Sequence, residues 1–208
     1  MTWRVPLLWP GRTVAVLASG PSMTPHVAAA VRSVPTIVIN DTFRLAPWAA
    51  LLYAADDAWW RANPDALAFA GLKVTVGSVP GTEQLRNSGA TGFDPNPECI
   101  RTGGNSGYQG VHIAAQAGAT RILLCGFDMT AAMGAHWFGA HRGGLVNTEP
   151  ETYARFVRRF AELKVALDAR GVEVLNCTPG SALKCFQMAD LDDALAAERE
   201  AIGAAADR

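Results

Sequence analysis

Six apolar runs of strand length recur along the chain without in/out alternation: Thr13–Ala18, Thr36–Asn40, Ala50–Ala54, Lys73–Val76, Arg121–Cys125 and Val172–Asn176. A strand with one wet face alternates apolar and polar residues. A strand apolar at every position is covered on both faces, as in a parallel sheet between helices. Segments of helical character separate the runs. Thr24–Val31 is rich in Ala and Val, and Asp56–Asn63 has room for one or two turns. Ser106–Ala117 follows a plausible cap at Asn105 or Ser106 and stops before Gly118. In Pro150–Arg170, Phe156, Phe160, Leu163 and Leu167 recur at 3–4 spacing and Gly171 follows as a stop. A final Ala-rich helix is expected over Leu191–Ala205. Strand–helix alternation of this kind predicts right-handed crossovers and an α/β, Rossmann-like, open and mainly parallel sheet with helices on both faces.

The whole chain, residues 1–208, reads as a single domain with a C-terminal helix. Half of the residues are hydrophobic and 18% are charged, which supports a sizeable core. A net charge of -1 supplies no broad basic field, so extended nucleic acid is not an expected partner. No apolar run approaches the roughly 20 residues that span a bilayer. The opening segment, with Pro6 and Pro10 and no small-residue cleavage site, does not read as a signal peptide. Its tryptophans, Trp3 and Trp9, offer cover for a partner subunit, so a homo-oligomer is possible. Cys99, Cys125, Cys177 and Cys185 form no CxxC pair, and Cys125 and Cys177 end apolar runs as small buried hydrophobes. A reduced, cytoplasmic setting fits them.

Two long segments interrupt the alternation and are expected to be irregular: Gly77–Gly104, rich in Gly, Pro and Asn, and Asp128–Glu149. Structureless loops of that length inside a compact domain are usually functional or disordered. In open α/β sheets ligands sit beyond the carboxyl ends of the strands. The residues found there are Ser19-Gly20-Pro21-Ser22, Asn40 and Asp41, Asp56 and Asp57, Gly126 and Asp128, and Asn176 and Thr178.

The first turn, Ser19 to Ser22, pairs a glycine that admits close backbone approach with a hydroxyl that, with Thr24, could cap the next helix. Neither GxGxxG nor a P-loop is present. Thr102-Gly103-Gly104-Asn105-Ser106-Gly107-Tyr108 forms a second small-residue turn leading into a helix, and a second candidate anion cradle. The plainer reading of each is a hinge and a cap. In His136-Trp137-Phe138-Gly139-Ala140-His141-Arg142, either histidine could act as acid or base, and Arg142 could hold a phosphate through two hydrogen bonds. Histidines five apart in a glycine-containing loop do not have zinc-site spacing, so no metal is assigned to them. On the plainer reading Trp137 and Phe138 anchor the loop. Trp59 and Trp60 are candidates for stacking on a base or for core packing.

Gly20-Pro21-Ser22, Ile39-Asn40, Asn105-Ser106-Gly107 and Gly126-Phe127-Asp128, in that order, resemble the bacterial sialyltransferases of the Campylobacter type. They equally resemble the DUF115 group, which includes the archaeal 6-hydroxymethylpterin diphosphokinases. The resemblance spans about residues 13–142, and the whole chain is also similar to small proteins of bacteriophages and prophages. It implies a modified Rossmann-like fold and a nucleotide or nucleotide-sugar donor. The positions of Gly20, Ser22, Asn40, Ser106, Gly107 and Asp128 would then lie around that nucleotide. His136, eight residues past Asp128, suits the DUF115 group. A diphosphokinase would also use Mg²⁺, for which Asp56, Asp57 and Asp128 are oxygen ligands.

The expectation is a nucleotide-dependent transferase, glycosyltransferase-like, acting on an unknown small-molecule acceptor. The SGPS turn and the Ser106 helix start would hold phosphate and ribose, Asn40 and Asp128 would orient base or sugar, and a histidine of the 128–149 segment would serve as base with Arg142 on the departing phosphate. The alternatives are an ATP- and Mg²⁺-dependent pyrophosphoryl transferase on a heterocyclic alcohol and a non-catalytic binder of a nucleotide or a host protein.

Overall fold

A computed structural model of the chain describes residues 3–140, 145 and 148–206, with side chains through residue 200. Its elements are β1 (Thr13–Leu17), α1 (Pro25–Ala30), β2 (Thr36–Ile39), β3 (Leu51–Tyr53), α2 (Asp57–Ala62), β4 (Leu72–Thr75), β5 (Glu83–Gln84), β6 (Arg86–Gly89), β7 (Cys99–Arg101), α3 (Ser106–Gln116), β8 (Arg121–Cys125), α4 (Pro150–Asp168), β9 (Glu173–Asn176), β10 (Gln187–Met188) and α5 (Leu191–Ala206). Eight strands form one sheet in the order β10-β9-β8-β1-β2-β3-β4-β5, and every pairing is parallel.

The central strands are apolar throughout because each face of the sheet has its own core. In β1, Val14 and Val16 join the core under α3 and α4, where Val111, Phe160, Leu163 and Leu167 pack. Ala15 and Leu17 face the other way, against Ala28 of α1, Trp59 and Trp60 of α2, and Ala194 and Leu195 of α5. β8 repeats the division, Ile122 and Leu124 against Leu123 and Cys125. All eight of these β1 and β8 side chains are 0% exposed. Burying one Val, Leu or Ile in this way contributes about 1.5–3 kcal/mol. The four apolar positions read along α4 are its buried residues. Cys125 and Cys177 are buried free thiols.

The segment Gly77–Gly104 is not irregular throughout. It holds β5, which extends the main sheet, and β6 and β7, which form a separate parallel pair whose register shifts between Asn87 and Gly89. These strands have two to four residues, and both residues of β5 are exposed. β10, equally short and exposed, is a further strand without an apolar signature. Gln116 organises much of this region: its Nε2 lies 2.9 Å from each of the carbonyls of Asp94, Asn96 and Cys99, which share its two N–H donors. No helix among the described residues is long and apolar enough to cross a membrane.

Candidate functional site at the β1–β8 switch point

From β1 the sheet grows in one direction through β2, β3, β4 and β5, and from β8 in the other through β9 and β10. The loops leaving β1 and β8 therefore part, and a crevice opens between them at the carboxyl ends of the strands. A cleft of about 410 Å³ lies there. Gly20, Pro21, Asn40, Asn105, Ser106, Gly107, Asp128 and His136, all singled out in the sequence, line it, and Asp56 does so too.

The β1 turn is laced to the β8 turn. Ala18 N–H donates to Cys125 O at 2.8 Å, and Gly20 N–H to Gly126 O at 3.0 Å. A Cβ on Gly20 would collide with Asp128 Oδ2 and stand 2.5 Å from Gly126 O, so close approach requires glycine here. Ser22 donates to Asp128 twice, N–H to Oδ1 at 3.2 Å and Oγ–H to Oδ2 at 2.8 Å. Met23 N–H returns to Gly20 O at 3.0 Å, and Pro21 has no N–H. The amides of Gly20, Ser22 and Met23 are thus committed inside the protein. The turn is a clamp on Asp128, not the anion cradle its composition suggested, and Ser22 is not among the residues lining the cleft. Thr24, not Ser22, caps α1, accepting Val27 N–H at 3.2 Å. Burial raises the pKa of the Asp128 carboxyl, against the two hydrogen bonds from Ser22 that favour its charged form.

Asn40 (φ 49°) and Met129 (φ 54°) occupy the left-handed region, and both line the cleft. Asn tolerates that conformation, while for a residue such as Met it stores energy of order 1 kcal/mol or more. The loop after β8 therefore bends sharply just past Asp128.

Opposite, α3 begins. Asn105 is its cap, its side chain accepting Tyr108 N–H at 3.1 Å. Gly103 and Gly104 have φ of +59° and +67°, and Arg159 of α4 donates to Gly103 O at 2.9 Å. Gly107 lets the helix approach Phe127, whose Cε1 a Cβ would meet at 2.8 Å. The first amides of this 11-residue helix, those of Ser106 and Gly107, have no intrahelical acceptor and belong to residues of the cleft wall. Gln109, one turn further, also lines the cleft and donates from Nε2 to Thr102 O at 2.8 Å.

The segment after Asp128 closes the third side. Trp137 N–H donates to Ser19 O at 3.1 Å, and its indole Nε1–H to Thr42 Oγ1 at 3.3 Å. Trp137 therefore anchors the segment onto the β1 turn, and His136 beside it lines the cleft with its ring stacked on Phe138 at 4.9 Å. Thr148 and Tyr153, at the entry and first turn of α4, line it as well. His141 and Arg142 lie outside the described residues.

Three sequence candidates fall elsewhere. Asp57 accepts Ser78 N–H at 3.2 Å and is not part of the cleft wall. Trp59 and Trp60 are 3% and 2% exposed, with indole N–H groups on Asp41 and the Ala54 carbonyl, so they are core residues and not a stacking platform. Among the described residues no three His, Cys, Asp or Glu side chains gather at metal-binding distance. Compared with family models, curated proteins and solved structures, the chain matches none, so the family resemblance rests on its motifs alone.

Proposed function

We propose that the chain is a nucleotide-dependent transferase, glycosyltransferase-like, that moves a sugar from a nucleotide-activated donor to a small acceptor. The observation that supports it is convergence: Gly20, Asn40, Asp128 and the α3 start at Ser106, separated widely in sequence, line one cleft at the sheet's switch point. No lysine or arginine is among the described lining residues, so the donor phosphate falls to the Ser106 and Gly107 amides and the positive end of the α3 dipole. Asn40 and Asp128 orient the base or sugar.

The chemistry asked of these residues is modest. The acceptor hydroxyl gives its proton to His136, its oxygen forms the new bond to the anomeric carbon, and the bond from that carbon to the phosphate oxygen breaks with its electron pair leaving on the nucleotide. The α3 amides stabilise the charge that develops there. Arg142 and His141 belong to the same segment and are assigned the same phosphate and base duties as the sequence suggested.

Asp56 and Asp128 both line the cleft, which also suits the second reading, an ATP- and Mg²⁺-dependent pyrophosphoryl transferase. One or two carboxylates suffice for Mg²⁺ when substrate phosphates complete its shell. Thermal unfolding with CMP, UDP, GDP and ATP, each with and without Mg²⁺, separates the readings. Stabilisation by CMP or UDP without metal supports the first, and stabilisation by ATP only with Mg²⁺ supports the second. A His136→Ala variant that turns over as the native protein does removes the histidine from the mechanism. Binding without any turnover marks a non-catalytic binder, and no stabilisation at all rejects the proposal.

A further inference from the structure

Gln109 carries a hydrogen-bond acceptor for which the described residues supply no partner. It is 3% exposed, on the first turns of α3, and lines the cleft. Its Nε2 donates to Thr102 O at 2.8 Å. A carbonyl oxygen only accepts, so this bond fixes which end of the carboxamide is nitrogen and leaves Oε1 as the other. Oε1 is buried and has no hydrogen-bond partner among the described residues. An unmet buried acceptor costs about 1–3 kcal/mol.

Helix geometry puts the orphan beside the phosphate site. Ser106 and Gln109 are three apart and share one face of α3. Long helical side chains lean back over the preceding turn, and the bond to Thr102, which precedes the helix, shows Gln109 doing so. Its carboxamide therefore lies level with the helix start, alongside the Ser106 and Gly107 amides.

We infer that Gln109 is a specificity-determining residue whose Oε1 accepts a hydrogen bond from a ribose hydroxyl of the nucleotide whose phosphate sits on the α3 amides. This rests on the nucleotide reading above and adds the sugar to it. A donor within one helical turn of the phosphate is required, roughly 5 Å. In a 5′-nucleotide the ribose 3′-hydroxyl comes about that close to the phosphate and the 2′-hydroxyl stands next along, whereas the donors on the base edge lie further still. The site should then select ribonucleotides, because a deoxy ligand leaves Oε1 unpaired even when bound.

The test is binding of CMP, UMP, GMP and AMP, and of their 2′-deoxy and 3′-deoxy counterparts, by calorimetry to the full chain, with Gln109→Leu and Gln109→Glu beside it. The native protein is expected to prefer the ribonucleotide over one deoxy series by about tenfold, the equivalent of one such bond. Gln109→Leu should bring ribo and deoxy forms within about twofold. Gln109→Glu keeps an acceptor and should keep the preference, although its charge weakens binding of every phosphate. A native protein that binds nucleotides without discriminating, or a Gln109→Leu variant that weakens ribo and deoxy forms by the same factor, overturns the inference and leaves the phosphate reading standing. A difference that follows the base and not the sugar also overturns it. If Gln109→Leu does not fold, loss of the sugar preference in Gln109→Glu overturns it and retention supports it. Failure of every nucleotide to bind the native protein overturns both readings.

Discussion

Ser22 and Asp128, 106 residues apart in the chain, are joined by two hydrogen bonds, the shorter from the Ser22 hydroxyl to Oδ2 at 2.8 Å. The pair bolts the turn after β1 to the turn after β8 at the point where the sheet changes direction. Ser22→Ala keeps the amide bond and removes the hydroxyl. A hydrogen bond to a charged group contributes about 1.5–3 kcal/mol, so thermal unfolding should begin several degrees lower, at about 2–4 °C per kcal/mol for a chain this long. The Asp128 carboxyl, already raised by burial, should rise further as a bond that favours its charged form is lost. Carboxyl ¹³C shifts followed through an acid titration measure it, and an unchanged midpoint would contradict the clamp.

Gly20→Ala should be worse than Ser22→Ala, because a Cβ there meets Asp128 Oδ2 and the Gly126 carbonyl at once. A carboxylate could swing aside, but a carbonyl in the β8 turn moves only with its backbone. The expected outcome is a drop in stability of a few kcal/mol, seen as a lower urea midpoint, and loss of ligand-induced stabilisation in whatever folds. A variant as stable as the native chain would mean that the two turns are not packed as described.

Phe160, 0% exposed on α4, meets Tyr108, Phe127 and Phe186 edge to face at 5.2, 5.9 and 6.1 Å. Tyr108 follows the α3 start and Phe127 precedes Asp128, so one side chain supports both walls of the cleft. Phe160→Ala should cost about 3–5 kcal/mol. Denaturant unfolding should show a lower midpoint with the slope retained.

The central sheet was legible because its physics is local. Thr13–Leu17, Thr36–Ile39 and Arg121–Cys125 are apolar at nearly every position since helices cover both faces, and that pattern is in the sequence itself. β5 and β10 were not legible: two exposed residues each leave no pattern, and only the neighbouring strand makes them strands. The cleft was legible as a set of strand ends, but not the use made of each residue. Ser22 reads as a cap until Asp128 arrives from 106 residues away. Gln109 and Tyr153 lie inside helices, where nothing in a single sequence separates a cleft residue from any other polar one, although the spacing of Gln109 from Ser106 would have placed both on one face.

His112 supplies an acid limit to stability. It is 0% exposed within α3, stacked on Phe93 at 4.3 Å, and its Nε2 accepts Asp94 N–H at 2.9 Å, which demands the neutral ring. Burial pushes its pKa down to about 3, with Arg101 and Arg170 adding to the effect and Asp94 opposing it. In the unfolded chain the same ring titrates near 6.5. Between those values the unfolded state binds the proton and the native state does not, so stability is complete above about pH 6.5 and declines as pH falls toward 3. The loss from this group reaches at most about 5 kcal/mol. Urea midpoints at pH 7, 5 and 4 should fall steeply in the native chain and less so in His112→Gln, whose amide oxygen accepts from Asp94 without titrating. Parallel declines in the two proteins would assign the acid sensitivity to carboxylates instead.

Trp137 decides whether the segment after Asp128 stays on the cleft. Its backbone holds Ser19 O and its indole reaches Thr42 Oγ1, which itself donates to Ala18 O at 3.1 Å. The anchor thus ends on the turn that follows β1, and His136 is the next residue back along the segment. Trp137→Phe removes the indole bond while keeping most of the apolar body, a change worth about 1 kcal/mol. Because the bond lies in the segment after Asp128 and not in the sheet, that loss should appear locally, not in the melting temperature. Hydrogen exchange should quicken by about fivefold or more across residues 130–140 while β1 and β8 keep their protection. Ligand-induced stabilisation should shrink with it, since His136 of the same segment lines the cleft. Uniform loss of protection across the sheet would show instead that Trp137 belongs to the core and that the segment is not a separable cover.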